Sequence, residues 1–142
     1  MLHRPGLFEF LEAMHKVYKV VIFTAGTRQY ADAVMDSLDA GYKFHDKRMY
    51  REHCTATDGV FCKDLHAVVG QDISRTIIVD NIPENYSMQP NNGIPISDFT
   101  GDPYDNALKV LQPQLLQYAQ TNMEAGAFVQ QMLPGVMHVC QR

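Results

Sequence analysis

The chain has 142 residues, of which 46% are hydrophobic and 20% charged, and carries a formal net charge of −4. That is one domain's worth of ordinary globular sequence, and its acidity gives no electrostatic case for binding nucleic acid directly. The three cysteines, Cys54, Cys62 and Cys140, form no C-x-x-C pair, which argues against a disulfide framework or a zinc site and fits a reducing compartment.

Pro5 to about Val17 has the spacing of an amphipathic helix: Leu7, Phe10, Leu11, Met14 and Val17 recur every three or four residues, with Pro5 in the tolerant first turn. Lys19 to Thr24 reads as a short apolar strand. Thr27 to Leu38 reads as a second helix with Tyr30, Val34 and Leu38 on one face. From Lys47 the texture changes. Met49-Tyr50-Arg51 and Val60-Phe61-Cys62 are strand candidates joined through the hairpin-type pair Asp58-Gly59, so a small antiparallel insertion is expected over about 47–62. Leu65 to Val69 is a short helix ending at Gly70. Thr76-Ile77-Ile78-Val79 is β-branched throughout and lacks polar alternation, which predicts a strand buried on both faces. Gly93-Ile94-Pro95-Ile96 follows as an edge strand, given its proline. Asp102-Pro103 opens a long helix carrying Leu108, Leu111, Leu115 and Leu116, which Pro113 should kink or break, and Glu124 to Leu133 forms the last helix. This alternation predicts an α/β fold with a mainly parallel sheet. No apolar run approaches the ~18 residues of a membrane span and no secretory core opens the chain, so the expectation is an intracellular protein, nuclear or cytoplasmic, with no membrane segment in this chain.

Three features carry chemistry. Asp80 and Asn81 stand at the carboxyl end of the Ile77 strand, where open α/β sheets bind ligands, and a carboxylate beside an amide suits a hard cation such as Mg²⁺. Asp80 equally suits the turn before Pro83. Phe23-Thr24-Ala25-Gly26 ends a strand in a hydroxyl before a helix, a phosphate-binding arrangement that also reads as a helix cap. Lys63 follows the apolar Val60-Phe61-Cys62. Strand-end lysines are ordinarily solvated, but one aimed inward at ~4 Å from a phosphate oxygen contributes on the order of 4 kcal/mol at an effective dielectric of about 20.

In combination these stretches resemble a known group. R-P-G-L-F-E-F-L at Arg4, V-V-I-F-T-A-G at Val20, Q-Y-A-D at Gln29, Y-R-E-H-C at Tyr50, K-D-L at Lys63, I-I-V-D-N at Ile77 and Q-P-N-N-G-I-P-I at Gln89 are similar to the haloacid dehalogenase superfamily. The resemblance is to its branch of small phosphatases acting on the RNA polymerase II C-terminal domain, with the related Dullard-type phosphatases. It covers Arg4 to about Leu133. It implies a three-layer Rossmann-like core over residues 1–133, a tail over 134–142, and Mg²⁺-dependent removal of phosphate from phosphoserine or phosphothreonine in a phosphoprotein or phosphopeptide. Thr24 would bind the phosphoryl group and Lys63 would neutralise it. Asn81 would contact Mg²⁺, and Asp80 would act through a water or by orienting Lys63. Tyr30 and Arg51 would stand where the substrate peptide approaches, although a core aromatic and a solvated strand arginine remain equal alternatives for them.

The family's first motif, D-x-D-x-T, supplies a nucleophilic aspartate and an acid/base aspartate from a central strand. No two aspartates of this sequence are separated by a single residue, so no nucleophile is assigned. Met1 is expected to be a truncated or misassigned start, the central strand to be missing, the chain alone to be inactive and its stability marginal. The alternative reading is a non-catalytic binding module of the pseudo-phosphatase kind, such as a receptor of the mitochondrial import machinery. Intact Asp80-Asn81 and the Thr24 hydroxyl favour the enzymatic reading. A small-molecule phosphatase is the third reading, opposed by the shortness of the insertion.

Overall fold

The computed structural model describes residues 3–39 and 43–140, with side chains described as far as Met132. Its elements, in order, are α1 (Leu7–Val17), β1 (Val21–Phe23), α2 (Arg28–Leu38), β2 (Lys47–Met49), β3 (Thr55–Thr57), β4 (Val60–Cys62), α3 (Leu65–Val69), β5 (Ile78–Asp80), β6 (Gly93–Pro95), α4 (Ala107–Ala119) and α5 (Ala125–Cys140). The strands among the described residues form three two-stranded sheets, two parallel and one antiparallel, which is the expected mixed α/β class. No helix of the described residues is long and apolar enough to cross a membrane. The chain divides into two compact units: Met1–Cys54 with Ser97–Thr121, and Thr55–Ile96 with Asn122–Arg142.

In the first unit, the apolar stripe of α1 packs on α4, burying Met14 against a seam of Leu108, Leu111, Leu115 and Tyr118. The Tyr18 hydroxyl donates to the Leu115 carbonyl at 2.6 Å. That seam explains why α4 continues through Pro113 without the break that was one of the two expected outcomes: its buried residues lie on both sides of the proline, and packing outweighs the lost N–H bond. The helix also starts later than Asp102-Pro103 suggested. Asp102 instead accepts from the Tyr104 N–H, and Asp105 accepts from the Ala107 N–H at the helix start. Arg4 makes a bidentate pair with that same Asp105, at 2.9 and 3.0 Å, and also holds the Ser97 carbonyl and hydroxyl. The entry to α1 is thereby tied to the entry to α4.

β1 and β2 are parallel, with Ile22 opposite Arg48. This corrects the expected hairpin. Lys47–Met49 belongs to a parallel pair, Arg51–His53 is a 3₁₀ turn, and the hairpin is β3–β4. Turn geometry is the reason. Asp58 and Gly59 both take positive φ, 51° and 79°, as a two-residue hairpin turn of the primed kind requires, so the partner of Val60 must be Thr57. In α2 the buried residues are Ala31 and Met35, while Tyr30, expected to share a face with Val34 and Leu38, is 69% exposed.

In the second unit, β5 and β6 pair in parallel with Asp80 opposite Pro95. The strand expected from Thr76 is shorter, Ile78–Asp80, but ends where the sequence put it. Gly93 opens β6 with the Tyr86 ring directly over it: a Cβ there would lie 2.2 Å from the ring. Asn92 donates to the carbonyls of Ile73 and Thr76, both at 2.9 Å, which ties the chain before β5 to the turn before β6. α5 buries Ala125 and Val129 and runs to Cys140, past the Leu133 end expected from sequence; residues 141–142 of the expected tail lie outside the described residues.

Candidate active site

The carboxyl ends of β1 and β5 each carry a group of the expected side chains, one group in each unit. In the second unit, the chain leaves β4 at Lys63, whose N–H donates to the Asn85 carbonyl at 2.7 Å. This backbone bond turns the side chain inward. Lys63 Nζ reaches Asp80 Oδ2 at 2.6 Å, with side-chain exposures of 11% and 4%. The solvated reading of Lys63 is therefore excluded. Asp80 Oδ1 accepts from the Ile82 N–H at 2.9 Å, and the Asn85 amide lies 3.3 Å from both carboxylate oxygens. Asp80 thus opens the turn, as one of its two sequence readings has it, and also pairs with Lys63.

Behind Lys63, Asp64 caps α3 by accepting from the His66 N–H, and Gln89 braces that cap, donating to Asp64 at 2.7 Å and accepting from the Leu65 N–H at 3.0 Å. Asn85 and Gln89 are buried and hold this corner together, yet neither stood out in the sequence. The only signal was their setting, amide side chains in the turn-rich stretch between Asp80 and Gly93.

Magnesium wants near-octahedral oxygen ligation, commonly from carboxylates, phosphates and water. Both Asp80 oxygens are already committed to Lys63, Asn85 and the Ile82 N–H. Asn81 is exposed and offers one amide oxygen. Among the described residues no group of three or more His, Cys, Asp or Glu side chains is disposed to hold a metal ion. The described side chains do not by themselves complete a Mg²⁺ shell.

In the first unit, Thr24 follows β1 and its N–H donates to the Met49 carbonyl of β2. Thr24 is not the cap of α2; Thr27 occupies that position. Instead Oγ1 accepts from the Gly26 N–H at 3.0 Å, a tight local turn that leaves the hydroxyl hydrogen to donate. Two other expected residues meet this turn. A Cβ on Gly26 would lie 3.3 Å from Thr24 Oγ1 and 3.7 Å from the Tyr30 ring, so both side chains flank Gly26. Arg51 donates from Nε to the Ala25 carbonyl at 2.7 Å and from its backbone N–H to the Gly26 carbonyl at 3.0 Å. Thr24, Tyr30 and Arg51 are thus neighbours. The core alternative for Tyr30 is excluded by its exposure.

A charged network supports this rim. Arg48 pairs with Asp39 at 2.6 Å and with Asp32 and Asp36 at 3.0 Å, and donates to His45 Nε2. Burial works against the Arg48 charge, but its hydrogen bonds to Asp39, Asp32 and Asp36 hold it protonated well above the ordinary arginine value. The Tyr50 hydroxyl donates to Asp32 and, with Arg48, keeps that carboxyl below its usual range. Arg28 stacks on the Tyr50 ring at 4.3 Å and donates to Glu52 at 2.8 Å.

The family model for NLI interacting factor-like phosphatase matches residues 1–125. The chain is 42% identical over 119 residues to a CTD nuclear envelope phosphatase 1 homolog of Drosophila melanogaster, an alignment covering 84% of this chain and 49% of that protein. It is 43% identical over 112 residues to CTD nuclear envelope phosphatase 1B of Danio rerio, covering 79% and 45%. With Phosphatase PSR1 of Saccharomyces cerevisiae it shares 37% identity over 127 residues, covering 89% and 29%. The chain spans less than half the length of these relatives. The match nevertheless takes in both strand ends and the residues around them, and the chain belongs to the NLI interacting factor-like phosphatase family.

Proposed function

We propose that the chain supplies the phosphate-recognising machinery of a phosphatase for phosphoserine or phosphothreonine in proteins. The observation that carries the reading is the buried Lys63–Asp80 pair at the end of β5. An inward lysine held by one carboxylate keeps two further N–H donors, which suits an anion such as a phosphoryl group. In this reading Thr24 donates its hydroxyl to the phosphoryl group, Asp80 orients Lys63, and Tyr30 and Arg51 border the peptide. Asn81 would hold a magnesium ion, which would supply positive charge to the phosphoryl group. Residues 1–133 serve as the phosphatase-like domain, of the three-layer Rossmann-like kind, with the 55–62 hairpin as its insertion. An intracellular setting goes with the relatives named for the nuclear envelope.

No pair of aspartates separated by one residue occurs in the sequence, so phosphate recognition is the step assigned to these residues and turnover is not. Two assays test the reading. A phosphoserine peptide should bind the purified chain more tightly than its unphosphorylated twin, and Lys63→Ala should abolish the difference. Hydrolysis of an aryl phosphate should be no faster than with Lys63→Ala; turnover that the substitution removes would overturn the assignment of recognition alone. Comparing phosphate binding with and without Mg²⁺, in the chain and in Asn81→Ala, tests the metal contact.

A further inference from the structure

Arg28 is built as a reader of negative charge on the substrate. Its guanidinium lies 4.3 Å from the Tyr50 ring centroid, and that ring is 4% exposed. The ring is itself anchored, because its hydroxyl donates to Asp32, which Arg48 holds at 3.0 Å. Arg28 Nε is used on Glu52 at 2.8 Å, and its two terminal amino groups make no hydrogen bond among the described residues. The side chain is 54% exposed. A stacked, tethered and half-exposed guanidinium is pre-organised for a planar or tetrahedral anion. Tyr30, from the same helix turn, and Arg51, from the 3₁₀ turn that also carries Glu52, border the Thr24 loop.

Distance sets the reach. Arg28 follows Thr24 by four residues, so their Cα atoms are at most about 14 Å apart, and an extended peptide spans that in about four residues. We infer that Arg28 selects substrates carrying a carboxylate or a second phosphate within about four residues of the phosphorylated one, Glu52 occupying the guanidinium until such a group arrives. This deepens the phosphoprotein reading above and rests on it.

The test uses the purified chain and fluorescent phosphoserine peptides of one neutral frame, with Asn, Asp or a second phosphoserine placed two to four residues from the first. At low salt the acidic peptides should bind about fivefold more tightly than the neutral one, a preference that shrinks as salt rises. Arg28→Gln should collapse the ratio to about one, and Arg28→Glu should invert it. Glu52→Gln should enlarge it, an effect that a purely structural role for the Arg28–Glu52 pair would not produce. Comparing the Asp and phosphoserine arms tells which anion is preferred. Phosphopeptides bound without regard to the acidic position, or a preference surviving Arg28→Gln, overturn this inference alone. Failure to distinguish phosphorylated from unphosphorylated peptide overturns the phosphate reading and this inference with it.

Discussion

Lys63 Nζ and Asp80 Oδ2 lie 2.6 Å apart, at the end of one strand and just after another, with almost no solvent at either side chain. Removing both charges from water is costly, and the pair persists because Asp80 also takes the Ile82 N–H and the Asn85 amide. Breaking one side is therefore worse than removing both. Lys63→Met should cost about 3 kcal/mol of unfolding free energy in urea, since it leaves a buried carboxylate without its cation. Adding Asp80→Asn should recover part of that loss. A cost under about 1 kcal/mol would show that water reaches the pair.

The Arg48 network should respond unevenly. Asp39 and Arg48 are 19% and 18% exposed, whereas Asp36 is 71% exposed. Arg48→Met should cost about 2–3 kcal/mol, because it takes the hydrogen-bonded cation from Asp32 and Asp39 together. Asp36→Asn should stay within about 0.5 kcal/mol, since an exposed ion pair gains little. Denaturant titrations of both variants check the contrast, and equal losses would contradict it.

Acid should destabilise the chain in two steps. Burial pushes His45 below its ordinary value of 6.5; the charges of Arg48 and Lys43 act in the same direction, and those of Asp39 and Asp46 oppose it. A group whose folded pKa is lowered takes up its proton first in the unfolded chain, so stability present above about 6.5 falls as pH drops below it. The carboxyls of Asp46 and Asp105 are held below 3.8, the first by the Val20 N–H and the second by Arg4. Their contribution persists at neutral pH and is lost only as pH falls below about 4. Melting temperature followed from pH 8 to 3 should show both losses, and His45→Gln should flatten the upper one. A rise in stability through pH 6.5 would mean that Asp39 holds His45 protonated.

Gly93→Ala should be destabilising although its backbone is ordinary extended strand. The added methyl would meet the body of the Tyr86 ring at 2.2 Å, and the ring is itself buried. Overpacking of this kind costs typically about 1–3 kcal/mol. Tyr86→Leu in the same chain should make the Gly93 substitution cheaper, a non-additivity that a double-mutant cycle reads directly.

Much of the fold was legible because its signals are local. The β-branched run before Asp80 gave the strand and its end, the Leu7–Val17 spacing gave α1, and Asp58-Gly59 gave a hairpin turn. The errors came where a distant partner decides. Lys47–Met49 and Met49-Tyr50-Arg51 are equally plausible strands in isolation, and only pairing with β1 selects the first. Pro113 reads as a break until the seam between α4 and α1 is seen to cross it.

The same division runs through the site. Sequence by itself placed Thr24 and Asp80-Asn81 at strand ends and named Lys63, since strand propensity and family motifs are properties of contiguous residues. Whether Lys63 points inward, whether Asp80 opens a turn, and whether Tyr30 is buried or exposed were decided by tertiary structure. Those outcomes depend on the Asn85 carbonyl and amide, on the Ile82 N–H and on the packing of Ala31 and Met35. Arg28 shows it most clearly: a helix-start arginine in the sequence becomes an oriented anion reader only because Tyr50, eighteen residues from Asp32, is fixed beneath it. Burial and orientation are set by contacts between residues far apart in the chain, and no local pattern encodes them.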